Sequence, residues 1–254
     1  MTGGNKSTSQ RADVAMVTAG LAESREKAQA LILAGSVSAN GRRIVKPSER
    51  ISDTSSLTVV APPPFVSRGG LKLAAALDAF GVDPAGLVCI DVGASTGGFT
   101  DALLQRGAVR VYAVDVGYGQ LADKVRHDPR VVVMERVNAR LLTPGMFDPR
   151  PTLAVMDVSF ISIRLILPAL YGVMGDTGRL VTLVKPQFEA GRDKVGKGGI
   201  VRDEAVHAQV LSEITAFVTD HGWVSAGTIQ SPIRGQTGNV EFLMDIRFGS
   251  QVGI

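Results

Sequence analysis

The sequence is poor in the residues from which metal centres and disulfide frameworks are built. Among its 254 residues there are one cysteine, Cys89, and three histidines. A disulfide within the chain is therefore excluded, and a zinc site of clustered cysteine and histidine ligands cannot be composed. We expect a protein of the reducing cytoplasm that holds no metal.

Long apolar runs are also missing. No stretch approaches the roughly 20 apolar residues that a membrane-spanning helix requires. The polar first ten residues lack the apolar segment of a secretory signal. We therefore expect no membrane partner, because a surface-active role would need an amphipathic membrane helix and the sequence offers no convincing one.

Aromatic residues make up only 5% of the chain, whereas hydrophobic residues make up 45%. A sizeable core is thus available, but it must be built mainly from Val, Leu, Ile and Ala. The net charge is +3 and the isoelectric point is about 9.2, which points weakly to a polyanionic partner.

The first part of the chain, residues 11–60, predicts a small α+β domain behind a disordered tail of residues 1–10. The tail is rich in Gly, Ser and Thr, which cannot bury enough apolar surface to order it. Ser24 is a good N-cap for a helix. The predicted elements are helices at residues 11–19 and 24–34, a hairpin turn at Asn40-Gly41 and a strand at residues 56–60.

Residues 61–66 contain three consecutive prolines, which stop regular structure and predict a short, stiff interdomain linker. Beyond it, in residues 67–250, strand and helix patterns alternate, as expected for a doubly wound, mostly parallel sheet. The predicted strands are 87–92, 109–115, 131–134, 153–158, 179–185, 223–230 and 239–248, and the predicted helices are 71–80, 97–106, 163–174 and 203–220.

A glycine-rich turn after Asp91 is the best candidate for a ligand site. It follows a buried strand and opens a helix, where the first strand–helix turn of such a sheet binds nucleotide-like ligands. The spacing Gly93-x-x-x-Gly97 matches neither the dinucleotide fingerprint nor the Walker loop, so no pyrophosphate site is indicated. Asp115 ends the next strand, where an acidic side chain accepts hydrogen bonds from ribose hydroxyls. Asn138, after the third strand, is placed to meet an adenine; a tight turn without a ligand is the alternative.

Four charged residues accompany the predicted strands. Asp157 and Lys185 end the fourth and fifth strands, whose carboxyl ends face one crevice. Lys72 lies in the helix before the first strand, and Glu241 begins the last. A lysine can activate a ribose hydroxyl if burial and a second cation lower its pKa from the reference of about 10.4, while carboxylates orient it. Each residue taken alone is more typical of a surface ion pair.

The sequence around these residues resembles that of known methyltransferases. The motif from Asp91 to Phe99 resembles the first motif of S-adenosylmethionine methyltransferases, and the four charged residues match the Lys–Asp–Lys–Glu tetrad of FtsJ/RrmJ-type ribose 2′-O-methyltransferases. Residues 20–28 and 35–41 resemble an S4 RNA-binding domain. Longer segments are similar to the TlyA family of rRNA methyltransferases, namely residues 67–73, 115–121, 157–162, 185–189 and 238–241.

The resemblance implies a Rossmann-like class I methyltransferase sheet, mostly parallel with an antiparallel last strand, preceded by a small α+β S4 domain. It implies S-adenosyl-L-methionine as cofactor and catalytic roles for Lys72, Asp157, Lys185 and Glu241. The cofactor-binding residues it implies are Asp91, Gly93, Ala94, Ser95, Thr96, Gly97, Gly98, Phe99, Asp115, Val116, Asn138 and Asp157.

The implied reaction is 2′-O-methylation of cytidine in 16S and 23S ribosomal RNA, which influences susceptibility to capreomycin-class antibiotics. A membrane-active haemolysin, which is the historical label of the family, and an RNA-binding protein with an inactive methyltransferase domain are the alternatives.

Basic side chains of the S4-like domain and of the loop at residues 191–199 are predicted to contact phosphates of ribosomal RNA or ribosomal subunits. The loop is interpreted as a mobile RNA-contacting flap. The alternative for the domain is a solvated charged face on a protein-binding module, and the alternative for residues 191–199 is a plain flexible loop. The predicted RNA-binding residues are Arg11, Arg25, Lys27, Arg42, Arg43, Arg68, Arg192, Lys194 and Lys197.

Overall fold

The computed structural model describes residues 9–33, 35–52, 55–60 and 63–249. The chain forms two compact units, the first ending at Pro64 and the second beginning at Phe65. Residues 1–8 of the predicted tail and residues 61 and 62 of the predicted linker lie outside the described ranges. Each unit has its own apolar core.

The first unit packs two helices against short antiparallel strands around a core of small and aliphatic side chains. The predicted hairpin is confirmed, since Asn40 and Gly41 both have positive φ and Ala39 pairs with Arg42. The strands of this unit form two sheets, one of two strands and one of three. The elements are β1 (Ser9–Arg11), α1 (Ala12–Thr18), α2 (Arg25–Leu33), β2 (Val37–Ala39), β3 (Arg42–Arg43), β4 (Arg50–Ser52) and β5 (Leu57–Val59).

The prediction that the disordered tail reaches residue 10 is wrong at its end. Ser9 and Gln10 belong to β1 and pair with Ser52 and Ile51 of β4. This pairing joins segments more than 40 residues apart, so the local composition of the tail gives no sign of it.

Asp13 is a fully buried carboxylate at which three parts of the first unit meet. Both of its oxygens accept hydrogen bonds from the Arg11 guanidinium at 2.9 Å. Oδ2 also accepts from Arg25 Nε at 3.0 Å and from Gln29 Nε2 at 2.9 Å. The hydrogen bonds from Arg11 hold the pKa of Asp13 well below its usual range. One carboxylate therefore ties β1 and α1 to α2.

The second unit is a seven-stranded sheet with helices on both faces. Its strands are β6 (Val88–Val92), β7 (Arg110–Asp115), β8 (Val131–Glu135), β9 (Leu153–Met156), β10 (Arg179–Val184), β11 (Val224–Gln230) and β12 (Phe242–Arg247). They lie in the order β11-β12-β10-β9-β6-β7-β8. All pairings are parallel except those of β12, which is antiparallel to both neighbours. The predicted fold class is thus confirmed.

Successive side chains along each strand point to opposite faces of the sheet and pack into two apolar layers. The helices of this unit are α3 (Gly69–Ala79), α4 (Gly98–Gln105), α5 (Asp123–Arg126), α6 (Leu167–Met174), α7 (Pro186–Glu189) and α8 (Glu204–Asp220). Ile90 of β6 packs in the layer that holds α6 and α8, whereas its neighbour Cys89 packs in the layer that holds α3 and α4. Helices α5 and α7 were not predicted, because one helical turn is too short to show a period.

Three charged residues lie just outside their strands rather than within them. The ladder stops at Met156 and Val184, so Asp157 and Lys185 are the first residues beyond β9 and β10, and Glu241 directly precedes β12. The side chains of all three residues line one cavity at this edge of the sheet. Within the described ranges no helix is both long and apolar enough to cross a membrane.

We expect Asp13→Ala to lower the free energy of unfolding of the first unit by roughly 2–4 kcal/mol, because three donors lose one buried acceptor. The control is Glu49→Ala, which removes a partly exposed partner of Arg42 and should cost less than about 1 kcal/mol. Hydrogen exchange at the amides of α1 and α2 in the full chain measures both. Equal protection in the two variants would contradict the role given to Asp13.

Candidate active site

The turn between β6 and α4 has backbone where no side chain fits. Gly93 has φ +84°, and a Cβ on it would lie 2.5 Å from the carbonyl oxygen of Asp157. The N–H groups of Gly93 and Ala94 both donate to the carbonyl of Val114, at 2.8 and 3.1 Å. Gly97, the N-cap residue of α4, is also left-handed, with φ +90°. Glycine is required in this turn because its backbone lies directly against the ends of the two neighbouring strands, β7 and β9.

Asp91 is fully buried in β6, beneath this turn. Its Oδ2 accepts a hydrogen bond from Thr100 Oγ1 at 2.6 Å, whereas its Oδ1 has no hydrogen-bond partner among the described residues. Burial raises the pKa of Asp91 to about 7, and the nearby charge of Asp157 adds to the rise. A buried carboxyl oxygen without a donor is a position that a ligand with an N–H or O–H group can satisfy.

Two lysines with little exposure are each paired with a carboxylate. Lys72 of α3 donates to Glu241, with 2.6 Å between Nζ and Oε2, and the two side chains are 10% and 4% exposed. Lys185 forms an ion pair with Asp157, with 2.6 Å between Nζ and Oδ1. The two charges of each pair sum to zero, which lowers the free-energy cost of burying the ammonium group. The four residues of the predicted tetrad therefore form two ion pairs.

Both pairs line one cavity of about 520 Å³ in the second unit, and the glycine turn forms part of the same wall. A polar pocket of this size holds a cofactor-sized molecule. The predicted site residues that line it are Arg68, Lys72, Gly93, Ala94, Ser95, Thr96, Gly98, Phe99, Asp157, Lys185 and Glu241.

Some of the predicted cofactor-binding residues do not line the cavity. Asp115 instead stabilises the glycine turn, because its carboxylate accepts hydrogen bonds from the backbone N–H of Ser95 and of Gly117, each at 2.7 Å. Asn138 is exposed and accepts a hydrogen bond from the N–H of Arg140 at 3.0 Å, capping a short 3₁₀ helix. The residues outside the wall are Asp91, Gly97, Asp115, Val116 and Asn138.

Most of the arginines and lysines predicted to bind RNA on the first unit are engaged with carboxylates. Arg11 and Arg25 bond Asp13, Lys27 pairs with Glu23, and Arg42 pairs with Glu49. Arg43 is exposed, and none of the ion pairs found in the described part of the chain involves it. These pairings moderate the positive face that the sequence predicts, because a guanidinium shared with a carboxylate attracts phosphate less strongly.

The remaining predicted RNA-binding residues belong to the second unit. Arg68 donates to the carbonyl of Arg234 at 2.8 Å, and Lys194 donates to Gln209 Oε1 at 2.7 Å. Lys197 is exposed. The side chain of Arg192 lies outside the described part of the structure, although its backbone belongs to a 3₁₀ turn.

Several uncharged residues of the cavity wall were not predicted as site residues. Phe160 is 91% exposed with φ +64°, and its ring lies 5.1 Å from that of Phe188. Gln187 has a buried Oε1 without a partner in the described structure. The other members of this group are Ser67, Gly69, Ser159, Phe188, Gln236 and Thr237. Each lies within five residues of a predicted tetrad residue. The sequence identifies the surrounding segment as a candidate but does not single out these positions.

The fold and the site together define a class of protein. A mostly parallel seven-stranded sheet with an antiparallel β12, a glycine turn after its first strand and a polar cavity at the strand carboxyl ends are the features of a class I, Rossmann-like methyltransferase.

The chain belongs to the FtsJ-like methyltransferase family, whose pattern matches residues 65–248, and an S4 domain matches residues 10–55. It is 49% identical over 239 residues to the 16S/23S rRNA (cytidine-2′-O)-methyltransferase TlyA of Mycobacterium tuberculosis, covering 93% of this chain and 89% of that protein. The expected family is thereby confirmed.

Solved structures give the same result. One from Streptococcus thermophilus, which carries the name hemolysin, is 47% identical with a TM-score of 0.73 and covers 96% of this chain and 91% of its own. The magnesium protoporphyrin IX methyltransferase of Synechocystis PCC 6803 with bound SAH shares the fold alone, at 16% identity and a TM-score of 0.50, covering 72% of this chain and 82% of its own.

The buried Asp91 predicts a pH-dependent stability. Because folding raises its pKa to about 7, the folded state holds this proton more tightly than the unfolded state. Its contribution is therefore complete below the unfolded pKa of about 3.9 and is lost as the pH rises through 7. Urea unfolding should show wild type losing up to about 4 kcal/mol against Asp91→Asn between pH 4 and pH 8. Parallel curves for the two proteins would contradict this.

Gly93 and Gly119 both have a positive φ, but only Gly93 has a close neighbour, so the two allow backbone strain to be distinguished from steric contact. Gly93→Ala should destabilise the second unit by roughly 3 kcal/mol or more, because its Cβ meets the carbonyl of Asp157. Gly119→Ala is the control, since φ is +70° and nothing lies within 4 Å of its Cβ; it should cost about 1 kcal/mol. Thermal unfolding measures both, and equal losses would show that the contact is unimportant.

Proposed function

We propose that the protein transfers a methyl group from S-adenosyl-L-methionine to the ribose 2′-hydroxyl of cytidine in ribosomal RNA, in the cytoplasm. The observation that carries this proposal is the pair of buried ammonium groups, Lys72 and Lys185, which share one cavity with the glycine turn after β6. The acceptor is supported by the name of the Mycobacterium tuberculosis relative and by the S4 domain.

The residues around the glycine turn fit this cofactor. The unpartnered Oδ1 of Asp91 offers an acceptor, and the close approach of Gly93 to Asp157 leaves backbone rather than side chain facing the cavity. The carboxylate of Asp115 keeps free lone pairs beyond its two backbone bonds, so it can also accept from ribose hydroxyls. When bound, S-adenosylmethionine supplies an electrophilic methyl group on a sulfonium.

The tetrad supplies the electrostatics that a hydroxyl nucleophile needs. As the hydroxyl oxygen bonds the methyl carbon, the bond from that carbon to sulfur breaks with its electron pair left on sulfur, and the hydroxyl proton is released to water. Fixed ammonium groups stabilise the negative charge that develops on the oxygen as its proton leaves. Asp157 and Glu241 hold Lys185 and Lys72 in place through contacts of 2.6 Å and cancel their mutual repulsion. The low exposure of these groups strengthens the effect, because little water screens it.

The distribution of charge supports RNA as the acceptor. Residues 1–64 contain eight Lys and Arg against five Asp and Glu, so this unit carries a net charge of +3. The remaining residues contain nineteen of each class and are neutral. All the net positive charge thus belongs to the unit with the S4 domain, where it favours binding to phosphates.

Lys185→Ala and Asp157→Ala should each reduce methyl transfer to ribosomal subunits at least about 100-fold, because the developing charge loses its stabilising group or that group loses its orientation. Asp78→Ala, which removes an exposed carboxylate paired with Arg106, is the matched control and should keep full activity. Single-turnover transfer of labelled methyl groups measures the rates. Calorimetry checks that each variant still binds S-adenosylmethionine.

Full activity of both Lys185→Ala and Asp157→Ala on the native substrate would disprove the tetrad assignment. The acceptor is tested separately, by mapping 2′-O-methyl groups on ribosomal RNA from cells with and without this gene. Identical maps, or differences confined to nucleotides other than cytidine, would disprove that part of the proposal.

A further inference from the structure

The ammonium group of Lys185 has a second polar partner beside Asp157. Its Nζ donates a hydrogen bond to Ser159 Oγ at 2.9 Å, while Asp157 Oδ1 lies at 2.6 Å. Lys72, by contrast, contacts only the carboxylate of Glu241 among the hydrogen bonds and ion pairs found in the described structure. The two lysines of the tetrad are therefore held differently.

Two anchors determine where the rest of the ammonium group points. An ammonium group has three N–H bonds in a tetrahedral arrangement. Asp157 Oδ1 accepts no hydrogen bond in the described structure, so its 2.6 Å contact with Nζ is an ion pair, which holds the ammonium group in place but does not orient it. The hydrogen bond to Ser159 fixes the direction of one N–H and therefore the directions of the other two. All three residues line the 520 Å³ cavity.

The loop that carries Ser159 is itself held at both ends. At its start, the N–H of Asp157 donates to the carbonyl of Val92 at 3.0 Å. At its end, buried Glu189 of α7 accepts from Ser162 Oγ at 2.6 Å and from the N–H of Ile163 at 2.8 Å. Since Glu189 follows Lys185 by only four residues, the segment that bears the lysine and the segment that bears the serine are fastened to each other.

We propose that Ser159 is a positioning residue for methyl transfer, which directs the free N–H of Lys185 at the acceptor oxygen. The inference rests on the function proposed above and adds a fifth residue to the tetrad. Ser159 acts through Lys185 and needs no contact with the substrate. A hydroxyl oxygen is required at this position, because an alanine leaves Asp157 as the sole anchor and lets the ammonium group rotate.

The test compares Ser159→Ala with Ser159→Thr, which keeps the oxygen, and with Ser225→Ala, a matched serine on edge strand β11 that does not line the cavity. Full-length protein, unmethylated ribosomal subunits and S-adenosylmethionine are used. Ser159→Ala should lower the single-turnover rate at saturation roughly 10- to 100-fold. The dissociation constant of S-adenosylmethionine and the half-saturating subunit concentration should stay unchanged. Ser159→Thr should restore most of the rate, and Ser225→Ala should equal wild type.

A double-mutant comparison shows whether Ser159 acts through Lys185. In the Lys185→Ala background, removal of the serine hydroxyl should have no further effect on rate, because the group that it positions is gone. An additive loss there, a full rate for Ser159→Ala, a loss confined to binding, or a threonine variant as slow as the alanine variant would each overturn the inference. Failure of the proposed function is distinct, since wild type itself would then transfer no methyl group.

Discussion

The parallel pairing of β6, β9 and β10 is the constraint on which the site depends. Met156 of β9 is in register with Val92 on one side and Thr182 on the other, so the three strands end close together at one edge of the sheet. Whatever follows them in the chain must share that edge. Gly93, Asp157 and Lys185 do follow them, and Gly93 lies so close to the carbonyl of Asp157 that no side chain would fit there.

Burial of charge at this edge is costly, and the structure meets the cost by pairing. Lys72 and Lys185 each face a carboxylate, and Lys185 has a hydroxyl as well. Replacing such pairs by apolar residues is often neutral or favourable for stability. Their presence in a cavity wall is better explained by what they do to a reacting oxygen. Asp91 and Asp157 each have one buried carboxyl oxygen without a hydrogen-bond donor in the described structure, although that of Asp157 lies in an ion pair with Lys185.

The structural features that could be predicted from the sequence are those that depend on patterns between residues close together in the chain. The alternation of strands and helices was sufficient for the sheet. Charged residues at strand ends were sufficient to place Asp157 and Lys185 together, because strand ends in a parallel sheet converge. Lys72 and Glu241 required the family resemblance, since 169 residues separate them. The pairing of Asp13 with Arg25 of α2, and that of β1 with β4, were out of reach because both depend on how separate segments meet. Ser159 was overlooked because an uncharged residue in a loop has no periodicity to mark it.

Cys89 has a practical consequence for experiments on this protein. It is the only cysteine, it is fully buried in β6, and burial raises the pKa of its thiol to about 12. At neutral pH such a thiol is neither accessible nor ionised, so it reacts slowly with maleimides and iodoacetamides. The natural chain is therefore already a suitable background for site-specific labelling. A cysteine introduced at an exposed position in either unit, such as Leu33 or Leu141, would carry a fluorophore or spin label without prior removal of a native thiol.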